Sequence, residues 1–146
     1  MATIVRKYDV GIVGSGPVGL LLSNILSHYG INHVLIERRA KPVVHPQAHF
    51  LGVRTMEILQ SCSPKSHSKL LNMLQNSDMW REFSYCHSLT GTQLQRIDHF
   101  AHTPLWFWNE SPTNFAHLAQ NKVETVLRNE VRASMKSGTD FLEGYN

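Results

Sequence analysis

The chain has 146 residues, of which 42% are hydrophobic and 17% are charged, a balance typical of a globular domain and not of a disordered chain. This length is too short for a two-domain enzyme. The formal net charge is +3, and the basic residues are scattered, so no nucleic-acid partner is expected. Cys62 and Cys86 match neither a zinc spacing nor a disulfide scaffold, and no metal site is predicted.

Residues 10–27 form an uncharged stretch that is long enough to suggest a membrane span or a signal peptide. Several glycines and Pro17 interrupt this stretch, and Asp9 stands where a signal peptide would be purely basic. We therefore expect no membrane span, and we expect the chain to be intracellular and cytoplasmic.

The first part of the chain predicts a strand, a turn, a helix and a second strand. Residues 8–13 and residues 33–37 are short apolar runs of the kind that form buried parallel strands. Between them, a glycine-rich turn at residues 14–19 opens a helical pattern that ends before Gly30. Residues 8–37 therefore predict a Rossmann-like βαβ unit in an α/β fold.

The rest of the chain predicts added helices and one hairpin. Phe83, Tyr85 and Leu89 alternate with smaller residues, which favours a half-exposed strand. The tail is expected to add little structure, and the aromatic segment 105–108 is expected to pack in or over the core. The elements expected after residue 37 are a helix over 52–61, a helix over 69–79, hairpin strands over 80–89 and 93–100, and a long helix over about 115–135.

Gly14, Gly16 and Gly19 fit the pattern G-x-G-x-x-G directly after a predicted strand. The first glycine permits the tight turn, the second lets a pyrophosphate approach the backbone, and the third lets the helix pack closely on the strand. The helix start then offers free N–H groups to phosphate oxygens. The pattern predicts a dinucleotide-binding turn.

Glu37 ends the next predicted strand, where a carboxylate can accept hydrogen bonds from ribose hydroxyls. A carboxylate there repels a 2′-phosphate and disfavours NADP, although Arg38 and Arg39 could soften that repulsion. FAD and NAD both remain open at this point, since both carry an adenosine diphosphate.

Two further signatures narrow the choice by resemblance. A Pro-Gln-Ala loop at residues 46–48 leads into Arg-Thr-Met-Glu-Ile-Leu at 54–59, and a later helix carries Gln120 followed by Glu124. Together with the glycine turn and in this order, these signatures resemble the N-terminal part of the FAD-binding monooxygenases, the single-component flavin-dependent aromatic hydroxylases. The resemblance covers residues 8 to about 132.

The resemblance implies FAD as cofactor and NAD(P)H as electron donor. In such enzymes the reduced flavin and oxygen hydroxylate a small aromatic or related substrate, while the protein positions and shields the flavin. The glycine turn would hold the pyrophosphate, Glu37 the adenosine ribose, Arg54 the phosphates, and Gln120 the ribityl chain and pyrophosphate. The residues implied to bind the cofactor are Gly14, Ser15, Gly16, Pro17, Val18, Gly19, Glu37, Arg38, Arg54 and Gln120.

The chain departs from the family in lacking its two downstream motifs, an Asp-Gly pair and a Gly-Asp pair that contact FAD. Our interpretation is a truncated α/β chain, a partial FAD-binding domain over residues 1–146 that holds the adenosine diphosphate part of FAD. The alternatives are an inactive nucleotide-binding or interaction module and a fragment of an NAD-dependent dehydrogenase. The catalytic residues and the substrate stay undetermined.

Overall fold

The structure is a computed structural model of the chain. It describes residues 6–42, 44–45, 47–74, 82–98, 110–135 and 139–145. The aromatic segment 105–108, for which we predicted core packing, lies outside the described residues.

A parallel sheet of three strands and four helices make up most of the described fold. The strands are β1 (Val10–Val13), β2 (His33–Glu37), β3 (Phe50–Leu51), β4 (Glu82–Cys86), β5 (Gln93–Asp98), β6 (Ala116–His117) and β7 (Asp140–Glu143). The helices are α1 (Pro17–His28), α2 (Val53–Cys62), α3 (Pro64–Leu71) and α4 (Gln120–Ser134). In the parallel sheet the order is β1-β2-β7, while β3 pairs with β6 and β4 pairs with β5, both antiparallel.

The predicted βαβ unit is confirmed, because β1 and β2 pair in parallel and α1 connects them. Pro17 stands at the start of α1, where its missing N–H costs no helical hydrogen bond. Gly30 follows the helix with φ of +71°, a conformation that favours glycine. The buried His33 joins the helix to the sheet, since its ring lies 2.7 Å from the Ser23 hydroxyl.

The core lies between the sheet and the helices, and its largest contact joins α1 to α4. Asn24 on α1 donates a hydrogen bond of 3.2 Å to the backbone carbonyl of Leu127 on α4. The core is formed by Ile12, Leu20, Leu35, Met56, Leu59, Leu70, Ala116, Leu118, Val123, Val126, Leu127 and Val131.

The predicted helix over 69–79 is wrong in position. The helix α3 instead begins at Pro64, shortly after α2, and ends at Leu71, and the N–H groups of Met73 and Leu74 make only turn hydrogen bonds to its last carbonyls. Its buried face is partly polar, because His67 lies 3.0 Å from the Thr113 hydroxyl, and an apolar pattern could not reveal this face. Residues 75–79 of the predicted helix lie outside the described residues.

The long helix begins later than predicted, at Gln120 and not at 115. Ala116 and His117 form β6, which pairs with β3, so the backbone before the helix is used for strand pairing. The backbone N–H groups of Leu118 and Gln120 donate to the carbonyls of His49 and Ala48, at 2.7 Å each.

The expectation that the tail adds little structure is also wrong. Residues 140–143 form β7, which pairs in parallel with β2 and makes β2 the central strand of the sheet. The last pair of residues in register is Glu37 and Glu143, at the carboxyl ends of the two strands. The hairpin of β4 and β5 forms where the sequence predicts one. None of the described helices is long and apolar enough to cross a membrane.

Candidate functional site

The glycine turn joins β1 to α1 and depends on glycine at two of its positions. Gly14 has φ of +97°, a left-handed conformation that side chains with a Cβ rarely adopt. A Cβ on Gly19 would stand 2.0 Å from the carbonyl oxygen of Gly14, so the helix packs on the turn only without a side chain there. A Cβ on Gly16 would meet nothing within 4 Å, which leaves the backbone open to a ligand.

The start of α1 presents backbone donors without a competing side chain. Gly16 caps the helix, no side chain hydrogen-bonds to the cap, and the first turn contains no acidic residue. The Val18 side chain points largely into solvent, with 81% of its surface exposed. Free N–H groups and the positive end of the helix dipole therefore favour an anion at this position.

The Glu37 carboxylate is held by three donors from the turns around it. Its Oε2 accepts hydrogen bonds from the backbone N–H of Ser15 at 2.7 Å and from the Ser15 hydroxyl at 2.9 Å. Its Oε1 accepts one from the backbone N–H of Arg39 at 2.8 Å. These donors, the Arg39 N–H first and the Ser15 N–H next, hold the pKa of the Glu37 carboxyl below its usual value, so the side chain stays charged at neutral pH.

A cleft of about 120 Å³ lies at the carboxyl edge of the parallel sheet. Three cationic and two acidic side chains are among its lining residues, and cations therefore outnumber carboxylates. The lining residues are Ser15, Gly16, Glu37, Arg39, Lys41, Pro42, Gln47, Gln120, Glu124 and Arg128.

The helix α4 supplies the far wall of this cleft. Gln120 stands at its first position, and its side-chain amide donates to the Glu124 carboxylate at 2.7 Å and to the Gln47 carbonyl oxygen at 3.4 Å. Asn121 donates to the backbone carbonyl of Val44 at 3.2 Å. These contacts hold the helix start against the loop that follows β2, and the cleft lies between them.

The structure brings some of the sequence-predicted residues together and leaves others apart. Ser15, Gly16, Glu37 and Gln120 all line the cleft. Gly14, Pro17, Val18 and Gly19 build the turn and the first helical turn beside it.

Two predicted arginines do not line the cleft. Arg38 and its neighbour Arg39 are both exposed, but only Arg39 is among the residues that line the cleft. Arg54 stands in the first turn of α2 with 86% of its side chain exposed, and it forms an ion pair with Glu57 at 3.3 Å.

Sequence reasoning missed Arg128, a buried arginine on α4 that lines the cleft. Its guanidinium donates to the Ser15 hydroxyl at 3.0 Å and forms an ion pair with Glu143. The signal that could have found it is spacing, since Gln120, Glu124 and Arg128 repeat every four residues and share one helix face. Arg39, Lys41, Gln47 and Glu124 were also missed as lining residues.

Comparison with known proteins identifies the family. The family described as FAD binding domain matches residues 7–144, which is nearly the whole chain. Two curated relatives are 2,4-dichlorophenol 6-monooxygenases. The one from Delftia acidovorans is 28% identical over 97% of this chain, and the one from Cupriavidus pinatubonensis is 31% identical over 82%. The chain spans only 25% and 20% of the length of these relatives.

The solved structures agree with this assignment. The flavin-dependent monooxygenase PieE, solved in complex with FAD and substrate, superposes with a TM-score of 0.84 and 25% identity. The match covers 98% of this chain and 24% of that protein. These findings confirm both the Rossmann-like α/β fold and the resemblance that the motifs indicated. The chain therefore belongs to the FAD-binding domain family of the flavin-dependent aromatic monooxygenases.

Proposed function

We propose that the cleft at the carboxyl edge of the sheet binds the adenosine diphosphate part of FAD. The observation that carries this proposal is that the glycine turn, Glu37 and Gln120 line one cleft although they lie far apart in the chain. Ligands of open α/β sheets bind outside the carboxyl ends of the strands, which is where this cleft lies. Residues 1–146 would act together as this FAD-binding unit.

The residues present fit the chemistry of an adenosine diphosphate. The open backbone at Gly16 and the uncapped start of α1 suit the pyrophosphate, and the charged Glu37 suits the ribose hydroxyls. Arg128 lines the cleft, and its buried Nε–H has no hydrogen-bond partner in the part of the chain that the structure describes.

The proposed cofactor-binding set follows from this fit and from the family. Arg38 and Arg54 belong to the proposed set on the strength of the family motif alone. Arg38 would lie beside the ribose, and Arg54 would lie near the phosphates. The full set is Gly14, Ser15, Gly16, Pro17, Val18, Gly19, Glu37, Arg38, Arg54 and Gln120.

We extend the proposal to a hydroxylase of aromatic compounds, as the names of the relatives suggest. The electron donor proposed with it, NAD(P)H, rests on the family resemblance of the sequence motifs alone. FAD supplies the electron transfer and the oxygen chemistry of that reaction when it is bound. The residues of this chain would bind and orient the cofactor through its adenosine end. The unpaired Cys62 and Cys86 and the scattered basic residues support a cytoplasmic protein without a nucleic-acid partner.

A titration of the chain with FAD, followed by flavin fluorescence, tests the proposal. Glu37→Arg should weaken FAD about tenfold or more, because it removes a charged acceptor for the ribose. The matched control is Glu110→Arg, the same charge reversal at an exposed residue away from the cleft lining. Equal affinity of the wild type and Glu37→Arg for FAD would contradict the assignment of the cleft.

Neither alternative reading of the sequence is favoured by an observation on the described residues. A parallel titration with NAD separates a dehydrogenase-like site from the proposed one. NAD binding that is tighter than FAD binding, and lost in Glu37→Arg, would favour the dehydrogenase alternative.

A further inference from the structure

A buried arginine joins the two sides of the candidate nucleotide cleft. Arg128 on α4 is only 6% exposed. Its guanidinium forms an ion pair with Glu143 at the end of β7 and donates to the Ser15 hydroxyl at 3.0 Å and the Ser15 carbonyl at 3.4 Å. One side chain thus connects the helix, the last strand and the glycine turn.

Ser15 carries this connection to Glu37. A hydroxyl has one hydrogen, and the Glu37 carboxylate can only accept, so the Ser15 hydroxyl donates to Glu37 Oε2 and accepts from Arg128. The Ser15 side chain is 2% exposed, so water does not compete for either contact. One of the three hydrogen bonds that orient the Glu37 carboxylate therefore depends on Arg128 through the Ser15 hydroxyl, and the other two come from backbone N–H groups.

The charges at this edge of the sheet also connect Arg128 to Glu37. Glu37 and Glu143 are register partners at the ends of adjacent parallel strands, which brings two negative charges to one edge of the sheet. Arg128 contacts Glu143 directly and Glu37 through one hydroxyl. Its positive charge also helps to lower the pKa of the Glu37 carboxyl.

We propose that Arg128 is a positioning residue for nucleotide recognition: acting through Ser15, it fixes Glu37 in the orientation that accepts a hydrogen bond from the ribose 2′-hydroxyl. The inference rests on the proposed function, because it takes Glu37 as the ribose-binding residue. Arg128 thereby contributes to recognition of the sugar.

The test compares ADP with 2′-deoxy-ADP, since both ligands carry the same charge and differ only in the 2′-hydroxyl. The measured quantity is the ratio of their dissociation constants, obtained by calorimetric titration of the full chain. A hydrogen bond to a charged group corresponds to a wild-type preference of about tenfold or more for ADP. The preference should fall to about threefold or less in Ser15→Ala and in Arg128→Met. General loss of phosphate attraction cancels in this ratio.

Arg132→Met is the matched control. Arg132 lies one helical turn further along α4, is exposed, and binds the same Glu143 at 2.5 Å. This variant should keep the wild-type ratio. Arg128→Lys keeps the charge without the planar fork and should give an intermediate ratio. Ser15→Ala, which retains the backbone N–H contact to Glu37, keeps the test decisive if Arg128→Met does not fold.

The outcomes separate the inference from the function on which it rests. A wild-type ratio that collapses in Glu37→Gln but persists in Ser15→Ala and in Arg128→Met would overturn the inference alone. Failure of the wild type to bind ADP, or a wild-type ratio near one, would overturn the ribose site itself and the inference with it.

Discussion

The sequence predicts β1 and β2 of the parallel sheet and both strands of the β4–β5 hairpin, yet the sheet and the hairpin differ in what they bury. In β2 the side chains of His33, Val34 and Leu35 are buried, because α1 follows β1 directly and packs on the sheet. In β4 all residues are exposed, and Tyr85 keeps 52% of its surface in solvent. A pattern of side chains predicts a strand in both places, but burial depends on whether a neighbouring element covers it.

The strongest way to break this comparison is to remove one leucine from each region. Leu35 in β2 is fully buried, whereas Leu94 in β5 is 68% exposed. Leu35→Ala should cost about 2–5 kcal/mol of unfolding free energy, because it leaves a cavity in the core. Leu94→Ala should change it by less than about 0.5 kcal/mol.

Urea unfolding of the two variants measures both values under the same conditions. Equal destabilisation would show that the hairpin is packed as tightly as the sheet, and the contrast between the regions would then be wrong.

A second, smaller effect is expected at the glycine turn. Gly19→Ala places a Cβ 2.0 Å from the Gly14 carbonyl oxygen, so the helix or the turn must shift. Overpacking of this kind costs about 1–3 kcal/mol. The control is Gly11→Ala in β1, where an added Cβ meets nothing within 4 Å. Thermal unfolding should separate the two variants, and equal midpoints would contradict the close packing of α1 on the turn.

The pH dependence of the unfolding free energy tests how much the charged Glu37 carboxylate, at the end of β2, stabilises the sheet region. The pKa of Glu37 is lower in the folded chain than its ordinary value of 4.5. The ionised carboxylate therefore stabilises the fold fully above about pH 4.5, and this contribution is lost as the pH falls through the lowered pKa. Glu37→Gln should lose less stability between pH 5 and pH 3 than the wild type does.

The acid loss should not vanish in that variant. Hydrogen bonds from Tyr8 and then Arg6 also lower the pKa of Asp140, at the start of β7. Urea unfolding at several pH values measures the slope, with the exposed Glu110→Gln as control. An acid slope unchanged by Glu37→Gln would contradict the hydrogen bonds assigned to its carboxylate.

Sequence alone predicts the local part of this molecule. The turn at Gly14–Gly19 and its flanking strands are close in the chain, and their residue types fix the backbone there. β7 was missed because it pairs with β2 about a hundred residues away, and nothing in residues 140–143 indicates that partner. The start of α4 was placed too early because residues 116–117 pair with β3, a contact that helical periodicity does not show.

In the candidate site, too, the residues fixed by nearby sequence could be predicted, and those placed by distant contacts could not. Glu37 and the glycine turn could be predicted, since both follow strands within one βαβ unit. Arg128 could not, because an arginine in an amphipathic helix ordinarily faces solvent. It is buried here because α4 packs on α1 and because β7 brings Glu143 to meet it.

The smallest effect is expected in the hairpin, at the cross-strand pair of Glu82 and Arg96, whose side chains are 33% and 61% exposed. Exposed ion pairs contribute about 0.2–1 kcal/mol. A double-mutant cycle with Glu82→Gln and Arg96→Gln, measured on the free energy of local opening of the hairpin, should give a coupling free energy in that range. Because the hairpin side chains are exposed, the loss should appear as faster amide hydrogen exchange in β4 and β5 while the global unfolding midpoint stays unchanged. The coupling should vanish at about 1 M salt, where charges are screened within roughly 3 Å. A shift of the global midpoint as large as the local change would mean that the hairpin unfolds together with the sheet, and the two regions would then differ in exposure without differing in cooperativity.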